Sequence, residues 1–127
     1  MAWKAYNPNP VSRVVGDCSV RAVAAALGTD WETAYILIAA AGYQMGDVIS
    51  SNAVWGAVLR QNGFYRAAIP SNYPEDYTAA EFAREHPVGV YVLGFGNHVA
   101  TVIDGDIWDS WDSSNEVPQY FWYRKED

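Results

Sequence analysis

Asp104-Gly105 fixes more of this chain's fold than any other pair of residues. It stands between HVATVI (98–103) and DIWDSW (106–111), two short β-branched and aromatic runs. Asp-Gly between such runs is the sequence of a two-residue hairpin turn, whose central residues both need positive φ. The register then follows by counting: Ile103 opposite Asp106, Val102 opposite Ile107, Ala100 opposite Asp109 and His98 opposite Trp111. His98 and Asp109 share one face, a diagonal step apart, where Cα atoms stand about 7–8 Å from each other and side chains of this length meet. A three-residue turn over Asp104, Gly105 and Asp106 would set Asp112 opposite His98 instead and send Asp109 to the other face. Asp-Gly favours the shorter turn.

Two further runs, VGVYVLGF (88–95) and PQYFWYRK (118–125), are short, aromatic and bounded by turn residues, and they extend the sheet. FYRAAIP (64–70) reads as a short strand or an extended connector. Upstream the period changes. After a loop over residues 1–17, in which NPNP removes donors and fixes φ, Val20, Val23, Ala24 and Leu27 recur at helical spacing and Gly28 ends the run. Thr29-Asp30-Trp31-Glu32 reads as a capping box opening a second helix to about Ala41, with Trp31, Ala34, Tyr35 and Ile38 on its apolar face. A third helix is expected from about Asn52 to Gln61. Thr78-Ala79-Ala80-Glu81 caps a short fourth helix that closes at His86-Pro87. Helices first and strands afterwards define an α+β chain, with N-terminal helices packed on a C-terminal antiparallel sheet. The 127 residues make one domain.

The single cysteine, Cys18, sits where the N-terminal loop turns into the first helix, with Asp17 as the expected N-cap. A lone cysteine is ordinarily a small buried hydrophobe. This one is placed at the positive end of a helix dipole, among free N–H groups that favour the thiolate. A histidine on a strand, held by a carboxylate of the next strand, can take and return a proton beside it. Cys18, His98 and Asp109 thus have the residue types and placement of a Cys-His-Asp triad. The backbone N–H of Cys18 is one oxyanion donor, and the loop before it is expected to supply a second, from Asn9 first, Asn7 next and Ser12 last.

With these residues the chain resembles the papain-like cysteine peptidase superfamily. There too the nucleophile lies on the N-terminal helix, a histidine opens a strand, and Asn or Asp follows on the next. Asp109-Ser110-Trp111 stands where those enzymes carry Asn-Ser-Trp, which favours Asp109 over Asp112. The combination NPNP, GDCSVRA, HVATVIDG and DSWDS is similar to small single-domain C39-like peptidases of the phage and prophage type, over nearly the whole chain. The resemblance implies a papain-like fold and amide cleavage through an acyl-enzyme on Cys18, without cofactor or metal. The motifs depart from that pattern at Asp17-Cys18-Ser19-Val20, where papain-like enzymes carry Cys-Gly-Ser-Cys-Trp, and in the lack of an upstream Gln. Other acyl-transfer chemistries (amidase, deamidase, transglutaminase-like) and a non-catalytic interaction module on the same fold are the rival readings.

The peptidase resemblance implies a protein or peptide substrate, and composition argues against other partners. Fifteen Asp and Glu against eight Lys and Arg give a net charge of −7, which repels phosphate backbones and excludes nucleic acid as the expected partner. AYILIAAAG is about half a membrane span, so no membrane insertion is expected. One thiol and no signal-peptide pattern at the N-terminus fit a reducing cytoplasm, that of the bacterial host if the chain is phage-encoded. The acidic set Asp104, Asp106, Asp109, Asp112 and Glu116 does not have the spacing of an EF-hand loop.

Overall fold

The Asp104-Gly105 turn forms with both residues at positive φ, 49° and 84°, and pairs Ile103 with Asp106 and Val102 with Ile107. The structure is a computed structural model and describes residues 3–124. Its hairpin joins β4 (Val99–Ile103) to β5 (Asp106–Asp109). β3 (Val90–Gly94) lies antiparallel to β4, β6 (Tyr120–Arg124) to β3, and β2 (Phe64–Ala68) to β6. The first strand was not expected. β1 (Trp3–Ala5) pairs in parallel with β5, so the sheet is mixed rather than antiparallel, in the order β1-β5-β4-β3-β6-β2. Three exposed residues are too few to show an alternation. Long-range bonds secure them: Trp3 Nε1 and the Tyr6 N–H both donate to the Asp109 carbonyl, at 3.1 and 2.8 Å.

Four helices accompany the sheet: α1 (Cys18–Leu27), α2 (Trp31–Met45), α3 (Asn52–Gln61) and α4 (Ala79–Glu85). The Thr78/Glu81 capping box of α4 forms in both directions. The cap of α2 is one residue later than expected, since Asp30 accepts from the Thr33 N–H at 2.8 Å. That helix also runs past Ala41 to an αL cap at Gly46. Gly42 does not stop it, being the point of close packing: a Cβ there would stand 3.0 Å from the Asp47 carbonyl.

Alternation along the strands buries both faces of the sheet. Val92, Val99 and Trp122 join Val23, Ile38, Trp55 and Leu59 beneath α1–α3, while Leu93, Ala100, Val102 and Ile107 pack with Phe82 and Tyr77 on the α4 side. The alanines of α1 let it approach β4 closely enough for Thr101 Oγ1 to donate to the Ala22 carbonyl at 2.8 Å. In β3, Gly94 lies under the ring of Tyr120, and a Cβ at that position would overlap the ring. Gly94→Ala is therefore expected to displace Tyr120 and to destabilise the domain by about 1–3 kcal/mol, the range for overpacking, read as a lowered denaturant midpoint at unchanged m-value.

Candidate active site

Cys18 is the first residue of α1, and His98 immediately precedes β4. Asp109 ends β5 and is 1% exposed. The three meet. His98 Nε2 lies 2.6 Å from Asp109 Oδ2, the diagonal contact that the hairpin register requires. With Nε2 so committed, Nδ1 is the ring nitrogen left for the sulfur, and a side-chain hydrogen bond joins His98 to Cys18. The Val99 N–H also reaches the sulfur. Phe95 stacks on the imidazole at 5.8 Å between centroids and Trp111 tilts against it at 4.8 Å. Asp112 is not part of this set: it is exposed and accepts from the Ser114 N–H.

Asp17 occupies the N-cap position of α1 but makes no side-chain cap, contrary to the expected N-cap bonding. Its carboxylate is engaged elsewhere, by the Arg21 guanidinium one turn on and by Trp31 Nε1 at 2.8 Å. The first-turn N–H groups beside the sulfur are thereby left without a side-chain cap, which preserves the positive helix end for an anion.

Arg21 and Ser113 complete the support. Arg21 is 5% exposed and spans two carboxylates, Asp17 and, at 3.3 Å, Asp109 Oδ1. Ser113, fully buried, donates its hydroxyl to Asp109 Oδ2 at 2.7 Å, and the Ser110 N–H donates to Oδ1 at 2.8 Å. Sequence reasoning did not find either residue. The signal for Arg21 was present, a lone charge four residues after an acid inside the apolar run VRAVAAAL. Ser113 lies in a run of turn residues and carried no signal.

The titration of the three groups follows from these contacts. Burial pushes the Cys18 thiol up, but the hydrogen bond and charge of His98, the Val99 N–H and the Arg21 charge outweigh it and hold the thiol below its ordinary value. Burial pushes His98 down, yet its bonds to Asp109 and Cys18 carry it up to about 9. Burial raises Asp109, and hydrogen bonds from His98 and Ser113 more than reverse that. Each of these contacts favours the charged form of its group: thiolate at Cys18, imidazolium at His98 and carboxylate at Asp109.

A raised histidine pKa stabilises the fold while the ring is charged. That contribution is complete below the unfolded value of 6.5 and is lost as pH rises through about 9. The stability difference between wild type and His98→Gln is accordingly expected to shrink across that window, as measured by chemical denaturation at stepped pH.

Cys18 and His98 open onto a cleft of about 280 Å³ whose wall includes Asn52, Trp55, Gly96 and Tyr120. Asn9 and Asn7, expected as oxyanion donors, do not line this cleft. They hold the loop before α1: Asn7 Nδ2 donates to the Arg13 carbonyl at 3.2 Å, its Oδ1 accepts from the Asn9 N–H at 3.3 Å, and Asn9 Oδ1 accepts from the Val11 N–H at 3.0 Å. A segment punctuated by Pro8 and Pro10 has few backbone donors to fold on, and Asx side chains take their place. Ser12 takes a positive φ in the same loop, 58°. Two amide side chains line the cleft instead, Asn97 beside His98 and Asn52 at the start of α3; Asn52 is the one tied to the cleft wall. Its Oδ1 accepts from Trp55 Nε1 at 3.0 Å, which leaves Nδ2 as its unspent donor.

Among the described residues no helix is long and apolar enough to cross a membrane, and no three His, Cys, Asp or Glu side chains are grouped to hold a metal ion. No family model, no curated protein and no solved structure matches the chain.

Proposed function

We propose that the chain is a thiol hydrolase, a cysteine peptidase of papain-like type, that cleaves an amide bond through an acyl-enzyme on Cys18. The observation that carries this reading is the imidazole of His98 held between a buried carboxylate 2.6 Å away and the only thiol in the chain. Cys18 also packs against the core beneath α1–α3, but packing alone does not call for an imidazole and a buried carboxylate beside the sulfur.

The chemistry runs on these groups. The Cys18 thiolate attacks the substrate carbonyl carbon and forms the C–S bond. The carbonyl electrons move onto oxygen, which is met by the uncapped N–H of Cys18 and by Asn52 Nδ2. As the tetrahedral adduct collapses, the C–N bond breaks and His98 passes its proton to the departing amine. The neutral ring then takes a proton from water, whose oxygen attacks the thioester. Collapse releases the acid and restores the thiolate and imidazolium. Asp109 keeps the ring oriented and its charge favoured throughout. A thiolate that must stay reduced suits a reducing cytoplasm.

Incubating a proteome-derived peptide mixture with wild type and with Cys18→Ala, then sequencing termini by mass spectrometry, tests the reaction class. New termini produced by wild type alone support a peptidase. Conversion of Gln or Asn side chains without chain cleavage would move the same machinery to deamidation or acyl transfer. No change in any peptide would leave a non-catalytic module.

A further inference from the structure

The cleft at Cys18 does not end at the catalytic groups. Past Asn52 and Tyr120 it continues into two adjoining cavities, of about 250 and 540 Å³, that share those two side chains and are both lined by Arg60 and Arg66. Arg60 comes from the last turn of α3 and Arg66 from the middle of β2. Non-local pairing of β2 with β6 brings Arg66 over the ring of Tyr120, at 4.2 Å, and Arg60 lies over Trp122 at 5.0 Å. Tyr120 therefore stands between the two halves of the groove, in electrostatic contact with the Arg66 guanidinium on one side and with the Cys18 sulfur on the other.

The charge of this groove is opposite to that of the molecule. Acids outnumber bases fifteen to eight in the chain, yet among the described residues no Asp or Glu lines any of the three connected cavities. Neither guanidinium is paired with a carboxylate among the described residues. Each guanidinium instead lies over an aromatic ring, Arg66 over Tyr120 and Arg60 over Trp122, a contact that leaves its charge unneutralised. Two guanidinium groups that line the same two cavities without a carboxylate partner supply the donors and charge that a planar anion takes. The rest of the acidic surface repels anions, so the local sign is selective as well as attractive.

From this we infer that the substrate carries a carboxylate next to the scissile amide and binds it between Arg60 and Arg66, with the reacting carbonyl at Cys18. The inference rests on the hydrolase reading and adds the substrate class to it. An acidic side chain and a free C-terminal carboxyl present the same chemistry to these two residues.

Three alkylating probes that enter the cleft without being substrates test it. They are N-iodoacetyl-Gln-amide (neutral), N-iodoacetyl-Glu-amide (side-chain carboxylate) and N-iodoacetyl-Gln with a free carboxyl end. Each is reacted with wild type and with the double variant Arg60→Gln/Arg66→Gln, both positions being exposed, and adducts at Cys18 are counted by mass. The neutral probe is expected to react equally with both proteins, which also shows that the variant is folded. At least one anionic probe should outpace it about tenfold in wild type, the size of one charge-assisted hydrogen bond, and lose that advantage in the variant. The anionic probe that gains more identifies the source of the carboxylate. Arg60→Lys/Arg66→Lys should retain part of the gain, because charge remains without the fork. Equal rates for all three probes in wild type, with the neutral one fast, overturn the carboxylate inference and leave the hydrolase intact. An anionic advantage that persists in the glutamine variant also overturns it. Slow reaction with every probe, at the rate of an ordinary thiol, removes the hydrolase reading and this one with it.

Discussion

Iodoacetamide is expected to alkylate Cys18 of the wild-type chain faster at pH 6 than it alkylates an ordinary thiol, and His98→Ala is expected to slow that reaction on the order of 10–100-fold. At this pH an ordinary thiol, with a pKa of about 8.5, is only about 0.3% thiolate. Cys18 departs from that because His98 donates a hydrogen bond and a positive charge to the sulfur, against a burial cost that alone would raise the thiol. Removing the ring takes away both favourable contributions and leaves the burial cost. The sign of the pH dependence follows. In wild type the rate rises as the depressed thiol ionises, then stays flat until His98 loses its proton near 9. In His98→Ala the rate instead climbs through the alkaline range. Asp109→Asn should fall between the two, since its side chain still accepts from the ring without supplying charge. A wild-type profile that climbs only in the alkaline range would mean the sulfur and the imidazole do not share a proton.

The largest loss of stability is expected from Arg21→Met. Arg21 is buried and lies between Asp17 and Asp109, which are 7% and 1% exposed. Methionine fills much of the same space, but the two carboxylates remain in the interior without their common cation. Removing one member of a buried ionic set costs about 3–5 kcal/mol, equivalent to a fall of about 10–20 °C in Tm for a domain of this size. Adding Asp17→Asn should recover part of that loss, because one of the stranded charges disappears while Trp31 Nε1 keeps an acceptor. Thermal denaturation of the single and double variants measures both. A shift of under a degree or two in Arg21→Met would show that the ionic set contributes little to holding α1 on the sheet.

The parts of this site that were legible in the sequence are those fixed by local counting. Asp104-Gly105 sets the register, and the register alone brings His98 and Asp109 to one face. Gly16-Asp17 before an apolar helical run places Cys18 at a helix start. Arg21 was not legible because periodicity assumes a helix with a solvent face, and α1 has none: β4, α2 and α3 cover it. Its second partner is 88 residues away. Asp17 was read as a cap because Asp before a helix usually caps it; here a buried guanidinium and an indole compete for the same oxygens and win. The loop before the helix makes Asn9 and Asn7 natural oxyanion donors, but the prolines beside them make the backbone depend on those side chains. The basic groove depends on β2 pairing with β6, a contact between segments more than fifty residues apart, and no local pattern announces it.

Reaction with a broad cysteine-hydrolase probe, a peptidyl acyloxymethyl ketone, followed by intact-mass and peptide mapping, addresses the nucleophile itself. One adduct per chain, located on Cys18, absent from Cys18→Ala and much slower in His98→Ala, is the expected result. A folded wild-type chain that takes up no probe over hours, while ordinary reagents still reach its thiol at alkaline pH, would contradict an acyl-forming sulfur at residue 18.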